Sequence, residues 1–111
     1  MSFWRKEVID FALDHETVKQ IQEQREWIVR DPSDARPYYH LAQLYRVANR
    51  QEEALGLLLE AVRLAPSFGD AHNALAEIYL TRADDAAAER HARIAAENGN
   101  RAALDLIVKY K

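Results

Sequence analysis

The stretch ARPYYHLAQLYRVANRQEEALGLLLEAVRLAPSF, residues 35–68, returns in altered form further along the chain, at a constant offset of 34. Tyr38 becomes His72, Leu41 becomes Leu75, Ala42 becomes Ala76 and Tyr45 becomes Tyr79. The correspondence continues from Ala54 to Ala88, Leu58 to Ala92 and Ala61 to Ala95. A single helical hairpin cannot bury its own apolar face, so a repeat of this period implies hairpins stacked side by side.

Apolar spacing divides each period into two helices. Ser33 or Asp34 is placed to cap a helix from Ala35 to about Ala48, with Tyr38, Leu41, Ala42 and Tyr45 on one face. Pro37 is tolerated there because the first turn has no intrahelical acceptors to lose. Asn49 with Glu52 reads as a capping pair for a helix from about Arg50 to Leu64, whose Ala54, Leu55, Leu58, Ala61 and Val62 point inward. Gly56 inside this helix suggests a close helix approach. Ser67 with Asp70 reads as the next capping pair, for a helix over Phe68–Arg82 carrying Leu75, Ala76, Ile78 and Tyr79. Asp84 is the expected cap of a helix over Asp85–Glu97, thin with alanine apart from Ile94. Asn98-Gly99 signals a stop and Asn100 a new cap. The last segment, RAALDLIVKYK, matches the preceding pattern after a three-residue deletion, with Ala103, Leu106, Ile107 and Tyr110 for His72, Leu75, Ala76 and Tyr79. Leu104, Ile107 and Val108 also form an apolar stripe suited to covering the last hairpin.

Residues 1–34 fit less well. Pro32 precedes Pro66 by one full period, which sets Trp4 and Phe11 opposite Tyr38 and Tyr45. Arg5 and Lys6 beside Phe3 and Trp4 admit an interfacial membrane helix, but Glu7 and Asp10 offset those cations, and packing against the next hairpin is the preferred reading. In the helix over about Glu16–Arg30, strict phasing puts Gln20, Gln24 and Trp27 at the inward positions. A one-residue shift gives Ile21, Arg25 and Ile28 beside Val18, and this better stripe is the one expected.

The pattern Tyr38-x2-Leu41-Ala42-x2-Tyr45, then Ala54-x3-Leu58, then Pro66, resembles the tetratricopeptide repeat (TPR) family. The likeness is fullest over 35–68, extends over 69–99 and thins before residue 34. It implies an all-α fold, a right-handed superhelical array of antiparallel helix–turn–helix repeats. The chain then forms one domain over 1–111: a degenerate first repeat at 1–34, repeats at 35–68 and 69–99, and a C-terminal capping helix at 100–111. In such proteins the first helix of each hairpin lines a concave groove that binds a peptide or helix of a partner protein. Carried over by position, the groove here presents Arg5, then Arg36, Tyr39, Gln43 and Arg46, then Asn73 and Glu77. Some family members grip a C-terminal carboxylate with Lys, Asn and Arg residues. The matching positions here hold Arg5, Ile9, His40, Asp70 and Ala74, of which Arg5 alone has suitable chemistry.

Residue chemistry narrows the function further. The 111 residues are 49% apolar and 30% charged, which favours a folded chain over a disordered one. A net charge of −3 gives no general attraction to phosphate backbones, so no nucleic-acid partner is expected. The chain contains no cysteine, which removes thiolate metal sites, disulfides and cysteine nucleophiles. The N-terminal segment carries Glu7, Asp10 and Asp14 where a signal peptide needs an apolar core, and no apolar run is long enough to span a bilayer. A cytoplasmic protein without membrane insertion is the expectation.

His15, His40, His72 and His91 show no i, i+4 pair and no HExxH, so no metal or other cofactor is expected. His72, at the position of Tyr38, reads as an inward structural residue. Two of the three serines, Ser33 and Ser67, lie in linkers, and no glycine-rich elbow or phosphate loop accompanies them. Nothing assembles an enzyme. Gln43 and Asn73 offer donors and acceptors to a peptide backbone, and Arg36 with Arg46 offers guanidinium groups to a carboxylate. The leading expectation is a non-catalytic adaptor binding a protein or peptide ligand. The alternative is a structural building block that self-associates as a homo-oligomer, a homodimer in the simplest case, through Trp4, Trp27 or the C-terminal helix.

Overall fold

The computed structural model describes residues 15–109. The expected helix over 3–14, with Trp4 and Arg5, and the residue Tyr110 lie outside the described residues. Among the described residues the chain is all-α: α1 His15–Arg30, α2 Ala35–Val47, α3 Gln51–Leu64, α4 Gly69–Thr81, α5 Asp85–Glu97 and α6 Ala102–Lys109, with no strand. The boundaries expected for α2 to α5 agree within a residue or so.

Contacts follow chain order. The most extensive are α2 with α3 and α4 with α5, followed by α1 with α2, α5 with α6 and α3 with α4. Beyond chain neighbours, α4 also meets α6. Connections of a few residues leave consecutive helices little choice but to fold back on one another. The resulting body measures 47 × 28 × 20 Å.

Helix ends repeat in atomic detail. Asn49 N–H donates to the Arg46 carbonyl and Arg50 N–H to the Tyr45 carbonyl, at 3.0 and 2.8 Å. One period on, Ala83 donates to Leu80 and Asp84 to Tyr79, at 3.1 and 3.0 Å. Gly99 to Ala96 and Asn100 to Ala95 close α5 the same way. These are Schellman closures, which need a residue at positive φ just past the helix. Asn49, Ala83 and Gly99 adopt φ of 61°, 60° and 90°. The capping pairs expected from Asn49 with Glu52 and from Ser67 with Asp70 are therefore not formed. Asn49 closes α2 instead of opening α3, and the N-caps of α3 and α4 are Arg50 and Phe68, without side-chain cap bonds. Asp34 and Asp84 do cap, accepting from Arg36 N–H and Ala87 N–H, and Asn100 accepts from Ala103 N–H.

The stripe expected in α1, Ile21, Arg25 and Ile28, turns inward, while the turn after the helix keeps the register of the next period. Asp31 N–H bonds the Trp27 carbonyl and Asp34 N–H the Asp31 carbonyl; Ala65 to Ala61 and Phe68 to Ala65 are the same bonds one period later. The chain thus leaves α1 in strict register, with no one-residue shift at that end. The apolar stripe is displaced within the helix. Ile21 is buried and Ile28 packs on the core, Val18 is 41% exposed, and Arg25 reaches the Tyr45 hydroxyl.

Two apolar clusters fill the interior. The larger gathers Ile21, Leu41, Ala42, Tyr45, Leu58, Ala71, Leu75 and Ile78, with Ala54 and Ala61 between the helices. The smaller consists of Ala76, Ala92, Ala95 and Ala103, with Ala96, Leu106 and Ile107 packed against it. α6 covers α5 through Ala103, Leu106 and Ile107, as the match to the preceding repeat implies, and of the stripe expected over Leu104, Ile107 and Val108, Ile107 packs inward while Leu104 is 53% exposed.

Gly56 makes no close approach: a Cβ there would meet nothing within 4 Å. The close approach is at Gly69, where a Cβ would stand 3.1 Å from the Asn98 carbonyl oxygen and 3.3 Å from that of Ala95. The start of α4 and the end of α5 meet there, and Asn100 Nδ2 donates to Asp70 Oδ1 at 2.8 Å across the same junction.

Candidate functional site

Residues expected to line one groove separate into two places. Arg36, at the start of α2, folds back onto its own cap. Its Nε and Nη2 reach the two carboxylate oxygens of Asp34 at 3.0 and 2.6 Å, and its guanidinium lies 5.1 Å from the Trp27 ring centroid. The Arg36 side chain and backbone N–H together hold the Asp34 carboxyl down at about 2, with a smaller contribution from Trp27. Trp27, displaced from the apolar stripe, thereby joins the end of α1 to the start of α2.

The rest gather where α2 meets α4. Arg46 Nη2 bridges to Glu77 Oε1 at 3.1 Å, and its Nη1 donates to Gln43 Oε1, also at 3.1 Å. Tyr39, one turn before Gln43, is half-buried against Phe68, with ring centroids 5.1 Å apart. Burial pushes the Tyr39 hydroxyl above its ordinary value; Asp70 and Glu77 reinforce that shift and Arg46 opposes it. One patch therefore holds Tyr39, Gln43 and Arg46 from α2 with Asp70 and Glu77 from α4. Asn73 shares their helical face, three residues after Asp70 and four before Glu77. Its Oδ1 is buried without a protein hydrogen-bond partner.

Arg36 and Arg46 do not converge. Ten residues of helix separate them by about 15 Å along the axis. Each already faces its own carboxylate. The expected grip on a ligand carboxylate by this pair is not assembled. The patch itself carries one cation, Arg46, against two carboxylates, Asp70 and Glu77, so its balance is acidic by one charge.

Beside the patch, between α1 and α2, runs a cleft of about 510 Å³ whose walls include Gln20, Gln24 and Trp27 on one side and His40, Leu44 and Val47 on the other. His40 is exposed and sits edge-on to Tyr39, with centroids 5.4 Å apart. Gln43 belongs to both the cleft and the patch.

Several participants escaped the sequence reading. Phe68 falls one period after the cap Asp34, and an apolar residue in a capping position was the available sign of a packing role. His91 corresponds by position to Leu57, so a polar ring in an apolar slot was visible, but its partner His72 was not. The bond from Asn100 to Asp70 joins distant parts of the sequence and left no local mark.

Among the described residues no group of three or more His, Asp or Glu side chains could hold a metal ion. No helix among them is long and apolar enough to cross a membrane. No protein-family model matches the chain, and no curated protein matches it.

Proposed function

We propose that the chain is a non-catalytic protein-interaction module of the tetratricopeptide type, working in the cytoplasm and holding a peptide or helix of a partner protein against the face shared by α2 and α4. The observation that carries this reading is the patch itself. Tyr39 and Gln43 from one hairpin are locked beside Glu77 and Asn73 from the next by the Arg46–Glu77 bridge. A surface built across two repeats suits a ligand long enough to touch both. Tyr39 supplies flat apolar area, while Gln43 and Asn73 supply hydrogen-bonding groups for a backbone. With Arg46 neutralised by Glu77, the ligand is a neutral or basic segment, in place of the acidic one that the two arginines alone suggest.

Affinity capture with the intact protein and with a Gln43→Ala/Glu77→Gln variant tests this, with Leu59→Ala on α3 as the off-surface control. Partners held by the parent and by the control should be lost from the double variant while its circular dichroism is unchanged. Partners retained by the double variant and lost from the control would move the site to the α3 side.

A second reading, self-association into a homodimer, draws support from the exposure of Leu104 on the last helix. Molar mass across a concentration series separates the two. A discrete dimer abolished by Leu104→Ser favours assembly, and a monomer at high concentration removes it.

A further inference from the structure

His72 is 5% exposed, the one buried polar or charged side chain among the described residues. Its Nε2 lies 2.8 Å from the Pro66 carbonyl oxygen, and its Nδ1 lies 3.0 Å from Nδ1 of His91. The tautomers follow from these two contacts. A carbonyl oxygen only accepts, so His72 Nε2 carries a hydrogen and, in the neutral ring, Nδ1 is a bare lone pair. His91 Nδ1–H must then donate to it. The two rings stack with centroids 5.2 Å apart, and Tyr79 stacks on His91 with centroids 5.5 Å apart and planes inclined by 10°.

We propose that His72 and His91 form an acid-sensitive latch between α4 and α5, closed while the pair carries no more than one extra proton and released when it carries two. One added proton leaves a single Nδ1–H···Nδ1 bond in place, whichever ring is the donor. With two, both Nδ1 atoms carry hydrogen, which directs two N–H groups and two cations at each other across 3.0 Å. The groups facing His91 are His72 and Tyr79 from α4 and Arg90 from α5 itself; the Pro66 carbonyl faces His72 from the preceding turn. No carboxylate, and no group from α3 or α6, is bonded to either ring among the described residues. Burial, His72 and Arg90 all disfavour charge on His91.

The repeat supplies its own inert counterpart. In the preceding hairpin Tyr38 makes the equivalent bond, from its hydroxyl to the Pro32 carbonyl at 3.1 Å, and Leu57 occupies the position of His91. The α2–α3 contact thus holds no group that gains charge in mild acid at these two positions. The α4–α5 contact holds two imidazoles there.

Burial, the neighbouring His72 and Arg90 push His91 down to about 4 from an ordinary 6.5. The unfolded chain therefore takes up this proton more readily than the folded one. Stability contributed by His91 is complete above about 6.5 and is lost as the pH falls from there towards about 4. Each pH unit between the folded and unfolded values changes the folding equilibrium tenfold. The ring is only partly shielded, so the expected loss is on the order of tenfold to a hundredfold.

The test is urea denaturation of the full chain in steps from neutral pH to about 4.5, for the parent and for a His72→Tyr/His91→Leu variant that copies the inert hairpin. Carboxylate titration is common to both and cancels in the difference. The parent should lose on the order of tenfold or more in its folding constant relative to the variant, with the change confined to the His91 window. A difference that stays constant with pH overturns the latch. Ring-proton NMR titration of the parent stands independently of whether the variant folds. One imidazole should titrate near 4 and report cooperative loss of α4–α5 cross-peaks below that point. A His91 ring titrating at 6.5 with the cross-peaks intact overturns the proposal.

Discussion

Tyr38 and His72, at equivalent places in successive hairpins, each hydrogen bond the carbonyl of the proline six positions before them, Pro32 and Pro66, at 3.1 and 2.8 Å. Two chemically different side chains thus play one structural role, since each ties the start of a helix to the turn that precedes it. The same carbonyl needs the same donor, and a phenol or an imidazole can supply it.

Tyr38→Phe keeps the ring and removes the donor. Water can reach the Pro32 carbonyl, so the cost should be modest, about 0.5–1 kcal/mol. A urea midpoint identical to that of the parent would show that the bond adds nothing in solution.

The two helical glycines should respond in opposite directions. Gly56→Ala places a methyl group in open space and removes backbone freedom from the unfolded chain, which should stabilise by about 0.5–1 kcal/mol. Gly69→Ala pushes a methyl against the Asn98 and Ala95 carbonyls and should destabilise by about 1–3 kcal/mol. Thermal melts of the two variants check both signs together.

Ala83 holds a left-handed conformation, φ 60°, at the position where α5 ends with Gly99. A Cβ there costs about 1–2 kcal/mol, part of which Gly gives back through a freer unfolded chain. Ala83→Gly should raise stability by about 0.5–1 kcal/mol, and an unchanged or lower melting temperature would count against the Schellman closure of α4.

Ala42 and Ala76 are both fully buried, at equivalent places in successive hairpins. Replacing either with Leu should cost about 1–3 kcal/mol through overpacking. Ala76→Leu should be the milder of the two if the alanine-rich α5 can shift, and equal stability in both variants and the parent would break the assigned register.

The regular period made the helix order readable, because Leu41, Tyr45, Leu75 and Tyr79 recur on inward faces whatever surrounds them. Caps defined by a carboxylate, Asp34 and Asp84, were readable too, since their bonds are local. Asn49 and Ser67 misled because a polar residue near a helix boundary can serve the helix behind it or simply the turn. The surface patch was legible as a set of positions on α2 and α4. Its charge was not, because Arg36 and Arg46 differ only in which carboxylate lies within reach: Asp34 is a near neighbour in sequence, while Glu77 comes from the next hairpin. Gly56 and Gly69 look alike in sequence; only the packing of α5 against the start of α4 separates them.

The smaller apolar cluster, built on Ala76, Ala92, Ala95 and Ala103, has a consequence for how the molecule breathes. Methyl groups shield little area, so separating α5 and α6 from α4 exposes far less than separating α2 from α3 around Leu41, Tyr45 and Leu58. Local opening free energies should therefore descend along the chain, and amide hydrogens of α5 and α6 should exchange with solvent deuterium well before those of α2 and α3. The helices would then open in turn from α6 back towards α4, while α2 and α3 stay closed.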